Sequence, residues 1–384
     1  MFKIFLKEMK DSFRDRRTLV LTVLLPVIMM TGLTLFYENM ISGDEEKTYT
    51  LAVETDIAPE EEGILSSIEN IEMVKVEDIE ETLAEGDAQA GIRFSEAFGE
   101  NVSNGEAATV QIYGDSLSQN SASLMSLLNN ILSEYEKTVI ADRLQQEEVD
   151  LALIQPFTVE QFEISEDDIG LSMLAMLIPL MLAIAIGVGS GPSASDLFSG
   201  EKEKKTMEAL LMSPIKRSTL VFAKWLAIST IGAITGIITL IVVSLEIAFL
   251  TENLKNAVSF GDNAAVIIGI GVLITIVYAM FIASLQMVTS IIAKTVKESQ
   301  SYSTPVMMLP VFPVMFVTNI GINELAFHHF VIPFMNLFSL MKELLFGIVN
   351  YEHILLTVGS NIAFMIVFFI IGRILFMKDK WVMN

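Results

Sequence analysis

The residues that could do chemistry are few, and most are oxygen carriers set in apolar surroundings. Glu246, Gln286, Asn319, Asn336 and Ser339 fall inside or at the edges of long apolar runs. A polar side chain there is expensive and marks an ion or substrate path. A hard cation such as sodium takes several oxygen ligands, from carboxylate, amide, hydroxyl or backbone carbonyl. Four of the five also have a plain structural use. Glu246 is near enough to the end of its run to snorkel. Asn319 and Asn336 can cap broken helices, and Gln286 can hydrogen-bond a neighbouring helix. Other chemistries are poorly served. There is no cysteine, hence no disulfide and no thiolate metal site. His328, His329 and His353 lack the His-Glu-x-x-His spacing of zinc hydrolases, and no resident metal is expected. No Ser/His/Asp set falls in one pocket, and no catalytic residue is assigned. A Gly-x-x-x-x-Gly-Lys-Ser/Thr phosphate loop is missing too, so nucleotide hydrolysis is not expected of this chain.

The densest charge sits between two apolar runs, in Gly200, Glu201, Lys202, Glu203, Lys204, Lys205, Thr206, Met207, Glu208, Ala209, Leu210, Leu211, Met212, Ser213 and Pro214. Glu201 with Lys205 and Lys204 with Glu208 are opposite charges at i,i+4. Met207, Leu210 and Leu211 make one apolar stripe at helical spacing. Ser213 reads as a cap and Pro214 as the opening of the next helix. A short helix with its apolar side ready is something a soluble partner could push on. The plain alternative is a solvated loop with a few charge pairs.

The elements that hold these residues are mainly membrane spans. Of 384 residues 52% are hydrophobic and 18% charged. The apolar residues cluster in runs of about 20, the length that crosses a bilayer core. The expected architecture is a membrane α-helical fold with six transmembrane helices: residues 18–38, 171–191, 226–245, 264–292, 302–320 and 353–376. Residues 1–17 read as an amphipathic helix at the cytoplasmic interface, with Lys3, Lys7, Lys10, Arg14, Arg16 and Arg17 near anionic lipid. The basic region and apolar core are too long for a signal peptide, and no small-x-small cleavage site follows. Lys224, Lys294, Lys297, Arg373, Lys378 and Lys380 mark the inner side, so both termini are expected in the cytoplasm of a multi-pass plasma-membrane protein. Pro305, Pro310 and Pro313 must kink or unwind the fifth span, since an interior proline costs about 3 kcal/mol. Residues 330–350 read as a re-entrant region. A full span would leave Lys342 and Glu343 in lipid at about 2.5–3.5 kcal/mol each on an insertion scale. Gly187, Gly189 and Gly191 read as close helix packing, because no strand precedes them.

The net charge of −23 is uneven: residues 39–169 hold 31 acidic and 5 basic residues, so the rest of the chain is slightly positive. This stretch alternates strand and helix patterns, which predicts an extracellular α/β domain inserted between the first two spans. Strands are expected at 49–53, 73–76, 88–94 and 109–113, with helices at 64–71, 78–84 and 118–148. The acidity suits local cation enrichment or plain solubility. No nucleic-acid partner is expected of so acidic a chain.

The segment from Gly200 to Leu211, with Ser213-Pro214, resembles the inner-loop motif of ABC-2 type exporter permeases. The order of basic helix, span, large outer domain and five further spans resembles that family as well. So does the stretch from Pro333 to Gly347, which resembles its re-entrant region. Phe13-Arg14-Asp15-Arg16, Gln155-Pro156-Phe157-Thr158, Leu309-Pro310-Val311-Phe312-Pro313 and Lys378-Asp379-Lys380-Trp381-Val382 resemble the sodium-extruding branch of the family. The resemblance implies that residues 200–214 form a coupling helix docked on a separate ATPase subunit carrying ATP and magnesium. It further implies two permease copies, or one copy with a related permease, paired with two ATPase subunits, and sodium efflux. Export of a drug, peptide or antibiotic is the alternative within the family. A membrane-anchored surface receptor or sensor is the alternative outside it.

Overall fold

The computed structural model describes residues 2–382 apart from 15, 46, 47, 67, 69, 117, 147–168, 213, 253, 256–262 and 319. The chain divides into two units, residues 1–41 with 166–384 and residues 42–165. The N-terminus is helical twice over, as α1 (Phe2–Arg14) and α2 (Arg16–Glu45). Helix α1 turns Ile4, Phe5 and Met9 onto the protein and leaves Phe2, Leu6 and Phe13 exposed. An amphipathic helix at an interface must divide its apolar residues this way.

The second unit follows as β1 (Tyr49–Glu54), α3 (Pro59–Leu65), β2 (Ile71–Val76), α4 (Ile79–Glu85), β3 (Ala90–Phe94), α5 (Phe98–Asn104), β4 (Val110–Gly114) and α6 (Gln119–Gln146). The strands form one mixed sheet in the order β2-β1-β3-β4, parallel except for the β3–β4 pair. Leu51, Val53, Ala90, Ile92 and Phe94 pack with Leu124 and Leu128 of α6. One expectation fails locally, and one helix has no expected counterpart. The helix expected over 64–71 ends at Leu65, because Pro59 and Glu61 start it earlier: proline suits a first turn, and Glu61 accepts from the Ala58 N–H at 3.0 Å. Helix α5 was not foreseen, since its polar sequence gives only Phe98 and Val102 as apolar anchors. A Cβ on Gly91, mid-strand in β3, would lie 2.1 Å from Ile79 Cγ2 of α4. Gly91→Ala is therefore expected to destabilise this unit by about 1–3 kcal/mol by overpacking. Thermal unfolding of the full chain measures this.

The first unit resumes with α7 (Ile169–Ser195), which runs through one π-helical turn (Asp196–Gly200) into α8 (Glu201–Glu203). After α9 (Thr206–Leu211) come α10 (Arg217–Leu250), α11 (Ala264–Ile292), α12 (Val296–Met308), α13 (Val311–Val317), α14 (Phe327–Val331), α15 (Met335–Leu345), α16 (Tyr351–Met377) and α17 (Asp379–Val382). Among the described residues, five helices are long and apolar enough to cross a membrane: 22–39, 170–203, 217–250, 264–292 and 351–377. The expected span 302–320 is not one continuous helix, as its prolines predict. It is two short helices, α12 and α13, broken at Leu309–Pro310. Three prolines withhold their amide hydrogens there, as their positions require. Pro214 does not open the following helix either; α10 begins at Arg217 behind Lys216.

Small residues on α7 let α10 and α12 approach it closely. A Cβ on Gly189 would lie 2.4 Å from Thr235 Oγ1, and one on Gly191 would lie 2.5 Å from Met307 Cε. These glycines admit neighbouring helices rather than a nucleotide. Two apolar clusters fill the unit. One joins α7, α10, α11 and α15; the other gathers Phe198, Met207, Trp225, Met287 and Phe376 at the opposite end.

Candidate coupling segment and membrane polar sites

The charged segment is locked to the helix ends around it. Lys202 is 5% exposed, and its ammonium donates to the carbonyls of Ile291 and Ala293, the latter at 2.9 Å. Those carbonyls are the orphan acceptors at the end of α11, so a cation is favoured there by hydrogen bonding and by the helix dipole. Glu203 accepts from the Val296 N–H at 2.9 Å and so ties the segment to the start of α12. Glu298 at that start is held below the usual carboxylate range, mainly by the Tyr302 hydroxyl, then by the Lys294 and Thr295 amides.

Glu201 faces inward. It meets Lys224 of α10 at 2.7 Å, and Lys224 also meets Glu8 of α1 at 3.4 Å. Lys224 and Glu8 are almost wholly buried, at 0% and 2% side-chain exposure. One ammonium thus joins three elements distant in sequence. Around Lys7 on the same helix, burial alone would lower the ammonium, but Glu8, Glu201 and Asp11 outweigh it and hold it above its ordinary value. Beside this node lies a cavity of about 650 Å³, lined among others by Glu8, Asp11, Asp196 and Glu201 with Lys7 and Lys204.

The expected i,i+4 pairs do not form. The helix breaks at Lys204–Lys205, where Lys205 takes φ 56°, and Glu201 is claimed by Lys224 instead. The apolar stripe also points the other way from the expectation. Met207 is 1% exposed, and Leu210 and Leu211 pack on the same core. Lys204, Lys205, Thr206, Glu208, Ala209 and Pro214 are exposed, and Met212 is 87% exposed. A partner would meet this second face. Ser213 lies outside the described residues.

The five candidate path residues do not converge. Glu246 is 6% exposed rather than snorkelled; it accepts from Thr31 of α2, and its second oxygen has no partner. Gln286 bridges helices: it accepts from Ser190 at 2.7 Å and donates to the Gly187 carbonyl at 2.7 Å. Both bonds tie α11 to α7. Asn319 lies outside the described residues. Asn336 and Ser339 are fully buried on α15. Asn336 caps nothing, since Phe334 holds the N-cap position. The re-entrant reading of 330–350 meets two short helices, α14 and α15. Lys342 donates to the Ile320 carbonyl at 2.6 Å, and Glu343 meets His353 at 2.7 Å. Charges at such depth need partners of this kind. Among the described residues no group of three or more His, Cys, Asp or Glu could hold a metal ion.

A bundle of apolar helices, with a charged segment riveted to their ends and one face left open, defines a membrane permease. The chain belongs to the ABC-2 transporter family, whose model, described as ABC-2 family transporter protein, matches residues 2–381. It is 39% identical over 382 residues to the ABC transporter permease protein NatB of Bacillus subtilis (strain 168), across 99% of this chain and 98% of that protein. Membership implies an ATPase partner. Sequence reasoning missed the Glu8–Lys224–Glu201 node. Its one available signal was Lys224, the eighth residue of α10, which the sequence offered only as a marker of the inner side.

Proposed function

We propose that this chain is the permease subunit of an ATP-driven sodium exporter. The observation that carries the reading is that the likeness to NatB runs the whole chain, through every stretch that resembles the sodium-extruding branch. Two copies pair with two ATPase subunits, which bind ATP and magnesium; this chain does no hydrolysis itself. Both termini lie in the cytoplasm and residues 39–169 outside, as the positive flanks direct. The open face of Lys204, Glu208 and Met212 receives the ATPase. Its movement reaches α7, α10 and α11 through Lys202 and Lys224. The cavity beside that node carries four carboxylates against two ammonium groups, which favours cation entry from the cytoplasm. Export against an inside-negative potential takes about 2.3 kcal/mol per 100 mV before any gradient, which demands an energy source.

The test is sodium flux in vesicles holding this chain and its ATPase subunit. Sodium movement that starts on adding ATP and stops with an ATPase-dead partner is expected. Sodium flux indifferent to ATP, with a drug or peptide carried instead, would overturn the cargo and keep the permease.

A further inference from the structure

Nine buried side-chain nitrogen or oxygen atoms have no hydrogen-bond partner among the described residues, and six of them sit on three adjoining helices. They are Tyr278 Oη on α11, Asn336 Oδ1 and Nδ2 with Glu343 Oε2 on α15, and Thr357 Oγ1 and Asn361 Oδ1 on α16. Burying such a group without a partner forfeits the hydrogen bond it made to water. Native folds hold few of them, so a concentration on one set of facing helices requires a cause.

Their register brings them together. Glu343 and His353 meet at 2.7 Å, and the short link from α15 to α16 makes an antiparallel pair. Asn336, Ser339 and Glu343 share one helical face by their spacing, as do His353, Thr357 and Asn361. Counting from the Glu343–His353 contact, Ser339 comes level with Thr357, and Asn336 with Ser360, the neighbour of Asn361. Helix α11 closes the third side. Phe281 packs 6.5 Å from Phe364, and Tyr278, one turn away, packs 6.4 Å from Phe334, two residues before Asn336. Tyr278, Asn336, Thr357 and Asn361 are all 0% exposed. Asn361 spends its amide hydrogen on the Thr357 carbonyl at 2.9 Å, which leaves its oxygen as the unpaired end.

We propose that Asn336, Thr357, Asn361 and Tyr278 form an oxygen-lined binding site for a dehydrated alkali cation in the membrane unit. The inference rests on the sodium-export reading and gives that cargo a place. Two amide oxygens and two hydroxyl oxygens are the ligands a hard monovalent cation takes in exchange for water. Glu343 Oε2, two turns along the same face of α15, is the next unpaired oxygen. The positive N-terminus of α15 opposes a cation and keeps binding weak. A site on a conduction path must release what it holds, so weak binding suits it.

The experiment is a sodium titration of the thermal unfolding of the full chain purified with its ATPase subunit, with choline chloride keeping ionic strength constant. Sodium is expected to raise the midpoint temperature. Thr357→Val and Asn361→Leu are expected to shift the half-saturating sodium concentration up by about tenfold, the loss of one good ligand. Thr357→Ser keeps the oxygen and is expected to titrate like the wild type. Valine matches threonine in shape, so this pair stays informative where a larger change would unfold the chain. Wild-type titration by Thr357→Val and Asn361→Leu would overturn the site, as would equal stabilisation by choline. Sodium stabilisation that depends on Asn361, in vesicles that export no sodium, would keep the site and remove the efflux reading.

Discussion

Lys224→Met is expected to destabilise the permease by about 3–5 kcal/mol, the cost of removing one partner from a buried ion network. The loss is large because Glu201 is stranded and Glu8 keeps only Lys7, at 3.4 Å. Glu8 has 2% side-chain exposure and Glu201 14%, and both lean on the same ammonium. Methionine fills the volume but offers no charge. The triple change Glu8→Gln, Lys224→Met, Glu201→Gln is expected to recover most of that stability, since neutral groups need no counter-charge. Thermal unfolding measures both variants. Coupling separates them from the wild type. The triple variant folds but no longer ties α1, α8 and α10 with charge, so ATP turnover by the partner should continue while transport falls. Transport at the wild-type level in the triple variant would show that the node only holds the fold.

The legible part of this fold was whatever depends on local pattern. Apolar runs located α7, α10, α11 and α16, because a bilayer selects length and hydropathy, and both are written along the chain. Alternation and turn residues located the strands of the acidic unit within two residues at most ends. Prolines announced the break at Leu309–Pro310, since the missing amide hydrogen is a property of the residue itself. What could not be read was direction. Met207, Leu210 and Leu211 have the same spacing whether they face a partner or their own core. Only the position of Phe198, Trp225 and Phe376 decides. Likewise Glu201 has Lys205 four residues on, yet its partner Lys224 lies across a helix boundary. The i,i+4 rule assumes an unbroken helix, and the left-handed backbone at Lys205 removes that assumption. The oxygen candidates show the same limit. Sequence listed Asn336 and Ser339 beside Glu246 and Gln286, but not Thr357, Asn361 or Tyr278. Their significance comes from helix register.

Met212→Glu tests which face of the segment does work. Met212 is 87% exposed on the turn after α9, beside exposed Glu208 and Ala209. A single apolar residue so exposed is ordinary by itself. Next to a charged face on a family member that requires an ATPase, it is the natural anchor of a docking patch, because interface energy concentrates in a few apolar contacts within a polar rim. A carboxylate there should leave folding within about 0.5 kcal/mol of the wild type. Burying that unpaired charge against a partner should nonetheless cost several kcal/mol. The expected result is a permease that inserts and melts normally, fails to co-purify with its ATPase subunit and moves nothing when ATP is added. Met207→Ala is the counterpart. At 1% exposure it should cost about 2–5 kcal/mol of stability through a core cavity. The surviving folded protein should still bind the ATPase. If instead Met207→Ala loses the ATPase while Met212→Glu keeps it, the apolar stripe is the docking face and the segment must swing outward to engage.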